Sequence, residues 1–349
     1  ALLLCACGEG DSPATPQGET LQWEQQEGAD ETQFWTRWGS SQLPYDEEAF
    51  LAAADRETLT DPESLRMKEV VNITVEKATV EGKARVRVAD GRAQGLMMTP
   101  DGDTLIAKNF TGLWVVTPQG SWEEADYCDP NCLLTPDGSG LIYGSGKSTR
   151  ETRYWQIYWC DLNRKETVQL TGNEAVSYEL CGFMGPEAVL CRRVDREAPY
   201  QVRLAVVTRA GEETLLDLEA SSNCCVQARN GYLLYADDPV DGDLTVYRWA
   251  GGTELTEVCT LPAGESWSLW EDDAFNPSGT RLACYAGGQI QLVELRTGEV
   301  RTLAMPQWEK ELGRVSVSWR DDETLFVGLE SKPENDILSW SAWTGVVPS

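Results

Sequence analysis

The stretch LTPDGSGLIYG, Leu134 to Gly144, holds two short apolar runs on either side of a Pro-Asp-Gly triplet. Proline presets φ for the first turn position, and glycine takes a backbone conformation that other residues adopt only at a cost, so the triplet predicts a tight turn between two strands. The same unit stands at Met98 as MTPDGDTLIAK and at Phe275 as FNPSGTRLACY. Weaker copies stand at Phe183 (FMGPEAVLCR), Ala228 (ARNGYLLYA) and Ser318 (SWRDDETLFVG). Downstream of each turn lies a third apolar strand, as in WQIYWC, VRLAVV, LTVYRW and IQLVEL, and a fourth strand usually follows. Four strands returning at a period of roughly 36 to 49 residues predict the blades of a β-propeller, arranged radially because one small sheet cannot bury both of its faces alone. The expected architecture is all-β, a six-bladed propeller over residues 91–349, with Asp101, Asp137 and Ser278 at equivalent turns on one rim.

YGSGKSTRE, Tyr143 to Glu151, ends like a phosphate-binding loop. Such a loop needs a glycine five residues before its Gly-Lys-Ser, so that successive N–H groups can curl around the phosphates. That position is Leu141, and strand-like runs flank the stretch where a strand and then a helix would be required. It reads as a solvated hairpin loop.

Of the 349 residues, 57 are Asp or Glu and 29 Lys or Arg, for a net charge of −28. A phosphate backbone would be repelled, so no nucleic-acid partner is expected. The chain has no histidine, which excludes Ser-His-Asp and Cys-His catalysis by its own residues. A pair of carboxylates acting on a glycosidic bond stays open as a lesser alternative. No enzymatic activity, no cofactor and no metal site is the primary expectation.

The chain opens ALLLCACGEGDSPATPQGET, and Leu4, Cys5, Ala6 and Cys7 resemble the cleavage site of a bacterial lipoprotein. The resemblance implies a signal-peptide remnant over residues 1–6, a diacylglycerol on Cys7 and an extracytoplasmic, membrane-anchored protein, with residues 7–30 as a flexible polar tether. Residues 31–90 form an N-terminal extension with a short helix expected at YDEEAFLAAADRE and a turn or helix at DPESLRMKEV. Its strand Ala84 to Asp90 is placed to close the ring as an outer strand of the last blade, because closure removes exposed edges, and a partial seventh blade is the alternative.

The turn motif together with YWQIYWCDLNRKETVQLTG, from Tyr154 to Gly172, resembles the TolB-like, WD40-like repeat propellers. The resemblance covers about residues 93 to 349 and implies an extracytoplasmic scaffold that binds a protein or peptide partner as a monomer; a surface glycan is the alternative ligand.

The chain has 14 tryptophans. Those inside strand patterns, such as Trp155, Trp159, Trp249 and Trp319, fill space between blades. Trp122, Trp267, Trp270 and Trp308 lie in or beside segments that link one blade to the next, with Asp126, Tyr127, Glu271 and Glu309 close by. Together they make the candidate binding face. Cys160, Cys191 and Cys284 sit in apolar patterns as small hydrophobes, whereas Cys128 with Cys132, around an expected turn, and Cys181 with Cys191, across an expected hairpin, are candidate disulfides.

Overall fold

A computed structural model describes residues 18–26, 57–58, 75–80, 83–88, 95–98, 104–108, 113–117, 120–125, 128–146, 155–195, 201–238, 242–262, 274–319, 321–332 and 340–348. Among the described residues every regular element is a strand. The first unit joins β5 (Gly95–Met98), β6 (Leu105–Lys108), β7 (Leu113–Thr117) and β8 (Gly120–Ala125) in sequence order. The second joins β9 (Cys128–Leu134), β10 (Gly140–Ser145), β11 (Gln156–Asp161) and β12 (Glu166–Gln169). The third comprises β13 (Val176–Gly185), β14 (Ala188–Asp195), β15 (Val202–Thr208) and β16 (Glu213–Ala220); the fourth comprises β17 (Cys225–Arg229), β18 (Tyr232–Ala236), β19 (Leu244–Trp249) and β20 (Leu255–Leu261). In the fifth, Phe275 bridges to Leu282 as the inner element of β21 (Arg281–Ala286), β22 (Gln289–Glu294) and β23 (Glu299–Leu303). The last unit is β24 (Leu312–Trp319), β25 (Thr324–Ser331) and β26 (Trp340–Val346), with β1 (Trp23–Gln26) added at its outer edge. A separate three-stranded sheet holds β2 (Glu57–Thr58), β3 (Val75–Val80) and β4 (Lys83–Val88). Antiparallel units chained in this order are the blades of a β-propeller.

Burial falls from the inner strands outward, as radial packing requires. Five of the six residues of β10 are buried, while all four of β12 are exposed. Alternate side chains of β10 serve different neighbours, since side chains alternate across a strand. Leu141 and Tyr143 join the core against the first unit, and Ile142 joins the core against the third. Cys160, Cys191 and Cys284 are at most 1 % exposed and fill these cores as small hydrophobes.

The repeated turn is the same object at Asp137 and Ser278. Gly138 and Gly279 take φ of 71° and 66°, and each donates its N–H to the residue three before it, Thr135 and Asn276. The side chains of Thr135 and Asn276 both accept from the backbone N–H five residues on, at Gly140 (2.8 Å) and Arg281 (2.9 Å). In the Asp137 copy the carboxylate also accepts from the Thr135 hydroxyl at 2.7 Å, the largest cause holding the Asp137 pKa below its ordinary value. Asp101 lies outside the described residues.

Blades three and four touch through their main chains. Gly182 pairs in parallel with Ala228, so β13 and β17 merge two units into one eight-stranded sheet. Gly182 has φ of 146°, and a Cβ built there would lie 2.0 Å from the Ala228 carbonyl oxygen. Only glycine fits that approach.

The structure corrects the expected closure. The outer edge of β26 is taken by Trp23–Gln26, in register from Trp23 opposite Gly345 to Gln26 opposite Ala342. Ala84 to Val88 belong instead to β4, paired with β3. The segment expected to be a tether is therefore docked from residue 18 onward. Glu19 bridges Leu303 in parallel, Leu21 is 5 % exposed in the core between the fifth and last units, and the Trp23 indole donates to the Ala304 carbonyl at 2.9 Å. A Cβ on Gly345 would meet the Trp23 ring at 2.7 Å, so the indole fits against that strand only because position 345 carries no side chain. Apolar Leu21 and Trp23 gain more from burial than a polar linker could. The expected helix and the expected turn or helix after it lie outside the described residues, apart from Glu57, which begins β2.

Both candidate disulfides are also corrected, because none of the described cysteines is in a disulfide. Cys128 and Cys132 lie four residues apart in one extended strand, β9, where about 13 Å separates such positions and a disulfide tolerates roughly half of that. Cys191 pairs opposite Leu180 and faces the core between the second and third units, while Cys181, at the bulge beside it, packs toward the fourth.

Candidate binding face

In each antiparallel unit the first-to-second and third-to-fourth turns lie at one end of the strands. The second-to-third loops and the links to the next unit lie at the other. The turn end is stitched from blade to blade. Asn230 donates to the Ser278 carbonyl at 2.6 Å, Arg229 to those of Asn276 and Pro277 at 3.2 and 3.3 Å, and the Ser278 N–H to Asp322 at 2.7 Å. Polar groups spent on neighbouring turns have little left for a ligand.

Exposed charge stands at both ends, with Asp137, Glu187, Glu212 and Asp321 to Glu323 at the turns and a second set at the linker end. Glu174 lies between β12 and β13, Asp243 precedes β19, and Glu309 and Glu311 lie between β23 and β24, all exposed. Glu311 pairs with Lys332 at 2.6 Å, also in solvent. Asp237 accepts a hydrogen bond from the Tyr235 hydroxyl at 2.7 Å, which pins the start of the loop before Asp243. Arg192 anchors the linker ahead of β17: it pairs with Glu179 at 2.6 Å and donates to the Ser222 and Cys224 carbonyls at 3.1 and 3.5 Å. Its sequence context, an apolar strand ending in Arg-Arg, carries no signal for this role.

Of the candidate tryptophans, Trp308 lies in a linker as expected, beside exposed Glu309. Its ring is half-buried on the core between the fifth and last units, with the indole N–H buried and without a hydrogen-bond partner. It is a packing wedge first and a contact surface second. Trp122 is not in a linker. It lies within β8 opposite Val115, donates to Glu124 at 2.9 Å, and is covered by the Lys165 ammonium 4.6 Å from the ring centroid. The other oxygen of Glu124 accepts from the Tyr143 hydroxyl at 2.8 Å and from the Thr167 hydroxyl, so this cluster sews the first unit to the second. Burial, then the Glu124 charge, push the Tyr143 pKa far above its ordinary value, and burial pushes Cys160 up to about 12. Asp126, Tyr127, Trp267, Trp270, Glu271 and Cys7 lie outside the described residues.

No protein-family model matches the chain, and no curated protein sequence matches it. Its fold is similar to that of dipeptidyl peptidase 4 of Porphyromonas gingivalis, with a TM-score of 0.50 and 11 % identity, over 86 % of this chain and 56 % of that one. The β-propeller domain of the Trilobed protease from Pyrococcus furiosus matches at a TM-score of 0.48 and 13 % identity, over 79 % of this chain and 90 % of that domain. TolB from Acinetobacter baumannii matches at 0.38 and 11 %, over 73 % and 65 %. At such identities the likeness is one of fold: the chain is an all-β propeller. The expectation of a chain without chemistry is corrected here. Dipeptidyl peptidase 4 shares the fold, so the fold does not separate catalysts from binding modules.

Proposed function

We propose that the chain is a lipid-anchored, extracytoplasmic propeller of six blades that binds a cationic protein or peptide segment on its linker end, as a monomer. The exposed carboxylates Glu174, Asp243, Glu309 and Glu311 at that end, all on the loops and links between strands, carry the reading. A net charge of −28 steers a basic partner toward the molecule from a distance, and the linker-end acids then select its docking place. The anchor rests on Leu4-Cys5-Ala6-Cys7. A lipid on Cys7 would hold the ring, docked at Gly18, within roughly 40 Å of the bilayer, the greatest extended span of the intervening chain.

Binding of a fluorescent Lys/Arg-rich peptide, and of the same peptide with Glu in place of each basic residue, tests the ligand. The basic peptide should bind more weakly as salt rises, and Glu309→Lys with Glu311→Lys should weaken it about fivefold. Equal binding of both peptides, or no effect of the two substitutions, would refute the assignment. Palmitate incorporation lost in Cys7→Ala supports the anchor; incorporation that persists removes it.

A further inference from the structure

We infer that the partner anchors at one place on the linker end, the margin between the fifth and last blades, and that it brings an apolar side chain flanked by basic ones. This anchor presupposes the linker-end binding of a basic segment proposed for the chain, and adds where and by what side chain that segment is held. Tyr285, Met305, Trp308 and Leu312 are all partly buried against the core between these two blades. All four stand at the linker end. Tyr285 is next to the last residue of β21, which runs away from the Ser278 turn; Met305 and Trp308 lie in the link after β23, and Leu312 opens β24. Two aromatic rings, a thioether and a leucine side chain, each backed by a packed core and partly exposed, make a firm apolar seat of the kind on which binding energy concentrates. Glu309 and Lys310 follow Trp308, and both are exposed. Lys332 holds Glu311 through its carboxylate at 2.6 Å and its main-chain carbonyl at 2.9 Å, which fixes the link just ahead of Leu312. These four charges cancel. The seat itself therefore selects by apolar area, while the net charge of −28 supplies the preference for basic flanks.

The other described cores present no such aromatic margin at this end. Beside the core between the second and third blades, Leu133 is the one partly buried hydrophobic among the described residues, and it lies near the turn end of β9, so Glu174 stands over a closed surface. Between the first and second blades the Trp122 ring is already covered by Lys165, and Tyr158 stacks on Tyr143 with ring centroids 5.6 Å apart. Between the third and fourth, Tyr247 and Trp249 lie toward the turn end of β19; between the fourth and fifth, Tyr232 opens β18 at the same end. Acids are spread around the linker end, but rings to hold an apolar side chain beside them are gathered at one margin. The same margin is the best braced. Glu19 exchanges main-chain hydrogen bonds with Thr302 and Ala304 at 2.7 and 2.9 Å while β1 pairs with β26, and the Trp319 indole of the last blade donates to the Ala274 carbonyl at 2.9 Å. A braced margin holds its rings in place before a ligand arrives, which lowers the ordering cost of binding.

Two short peptides with Lys and Arg at both flanks, one with Leu at its centre and one with Ser, separate the seat from the rest of the face. The Leu peptide should bind the full chain about tenfold more tightly. Trp308→Ala should cut that ratio to about twofold or less, and Met305→Gln takes its place if the first variant melts abnormally. Glu174→Lys, at the margin between the second and third blades, should leave the ratio unchanged. With a photoactivatable diazirine analogue in place of the central Leu, crosslinks mapped by mass spectrometry should fall on Tyr285, Met305, Trp308 or Leu312. Equal binding of the Leu and Ser peptides, or crosslinks confined to another margin, would overturn the seat while a preference for basic over acidic peptides survived. Loss of that preference would remove the linker-end reading, and the seat with it.

Discussion

Gly182 shows how one residue sets the contact between two blades. Adding a methyl group there meets the Ala228 carbonyl at 2.0 Å and forces a positive φ on a residue with a Cβ. Gly185, three residues on in the same strand, has nothing within 4 Å of the equivalent position. Gly182→Ala should therefore lower the free energy of unfolding in urea by about 3 kcal/mol, and Gly185→Ala should change it by less than about 0.5 kcal/mol. Similar losses in both would show that the parallel bridge is not a specific requirement. The sequence flagged neither glycine as special, because the clash is with a residue on another blade. Trp122 failed for a similar reason. Its segment reads as a link from sequence, but Lys165 of the second unit covers its ring, and Glu124, which accepts from its indole in the same strand, accepts from Tyr143 and Thr167 across the seam.

At the scale of the element, the N-terminal segment departs furthest from expectation. Its composition before Leu21 is that of a polar linker, and the two residues that dock it, Leu21 and Trp23, are too few to make a strand pattern. What draws them in is the open outer edge of β26 and the flat surface at Gly345, features assembled more than three hundred residues later in the chain. Trp23→Ala removes a half-buried ring and its hydrogen bond to Ala304, and should cost about 2–3 kcal/mol, seen as a melting temperature about 5 °C lower. A tether would leave the melting temperature unchanged. The repeated turns behaved as read. Pro-Asp-Gly and Pro-Ser-Gly carry their own geometry, so Asp137 and Ser278 sit in matching hairpins whatever surrounds them.

The whole molecule responds to alkali through buried phenols. Burial, then the hydrogen bond to Glu213, push Tyr178 up to about 12; burial and neighbouring carboxylates raise Tyr143 and Tyr235 further. An acid whose folded pKa is raised contributes its full stability below the unfolded value, near 10, and loses it as pH climbs from there toward the folded value. The protein should therefore unfold between about pH 10 and 12, with one set of tyrosines ionising near the ordinary value and a second appearing only as the β-sheet circular dichroism is lost. Ionisation of all tyrosines before any loss of that signal would contradict the burial. The propeller was legible in the chain because strand, turn and strand recur at a blade-length period, and each Pro-x-Gly turn is decided by local sterics. Its cores were legible too, because Val, Ile, Leu and Cys at alternating strand positions have few other places to go. Which edge the N-terminus occupies and which tryptophan is a wedge were decided only in three dimensions. These are contacts between residues tens to hundreds of positions apart, and their energies depend on partners that no local pattern names.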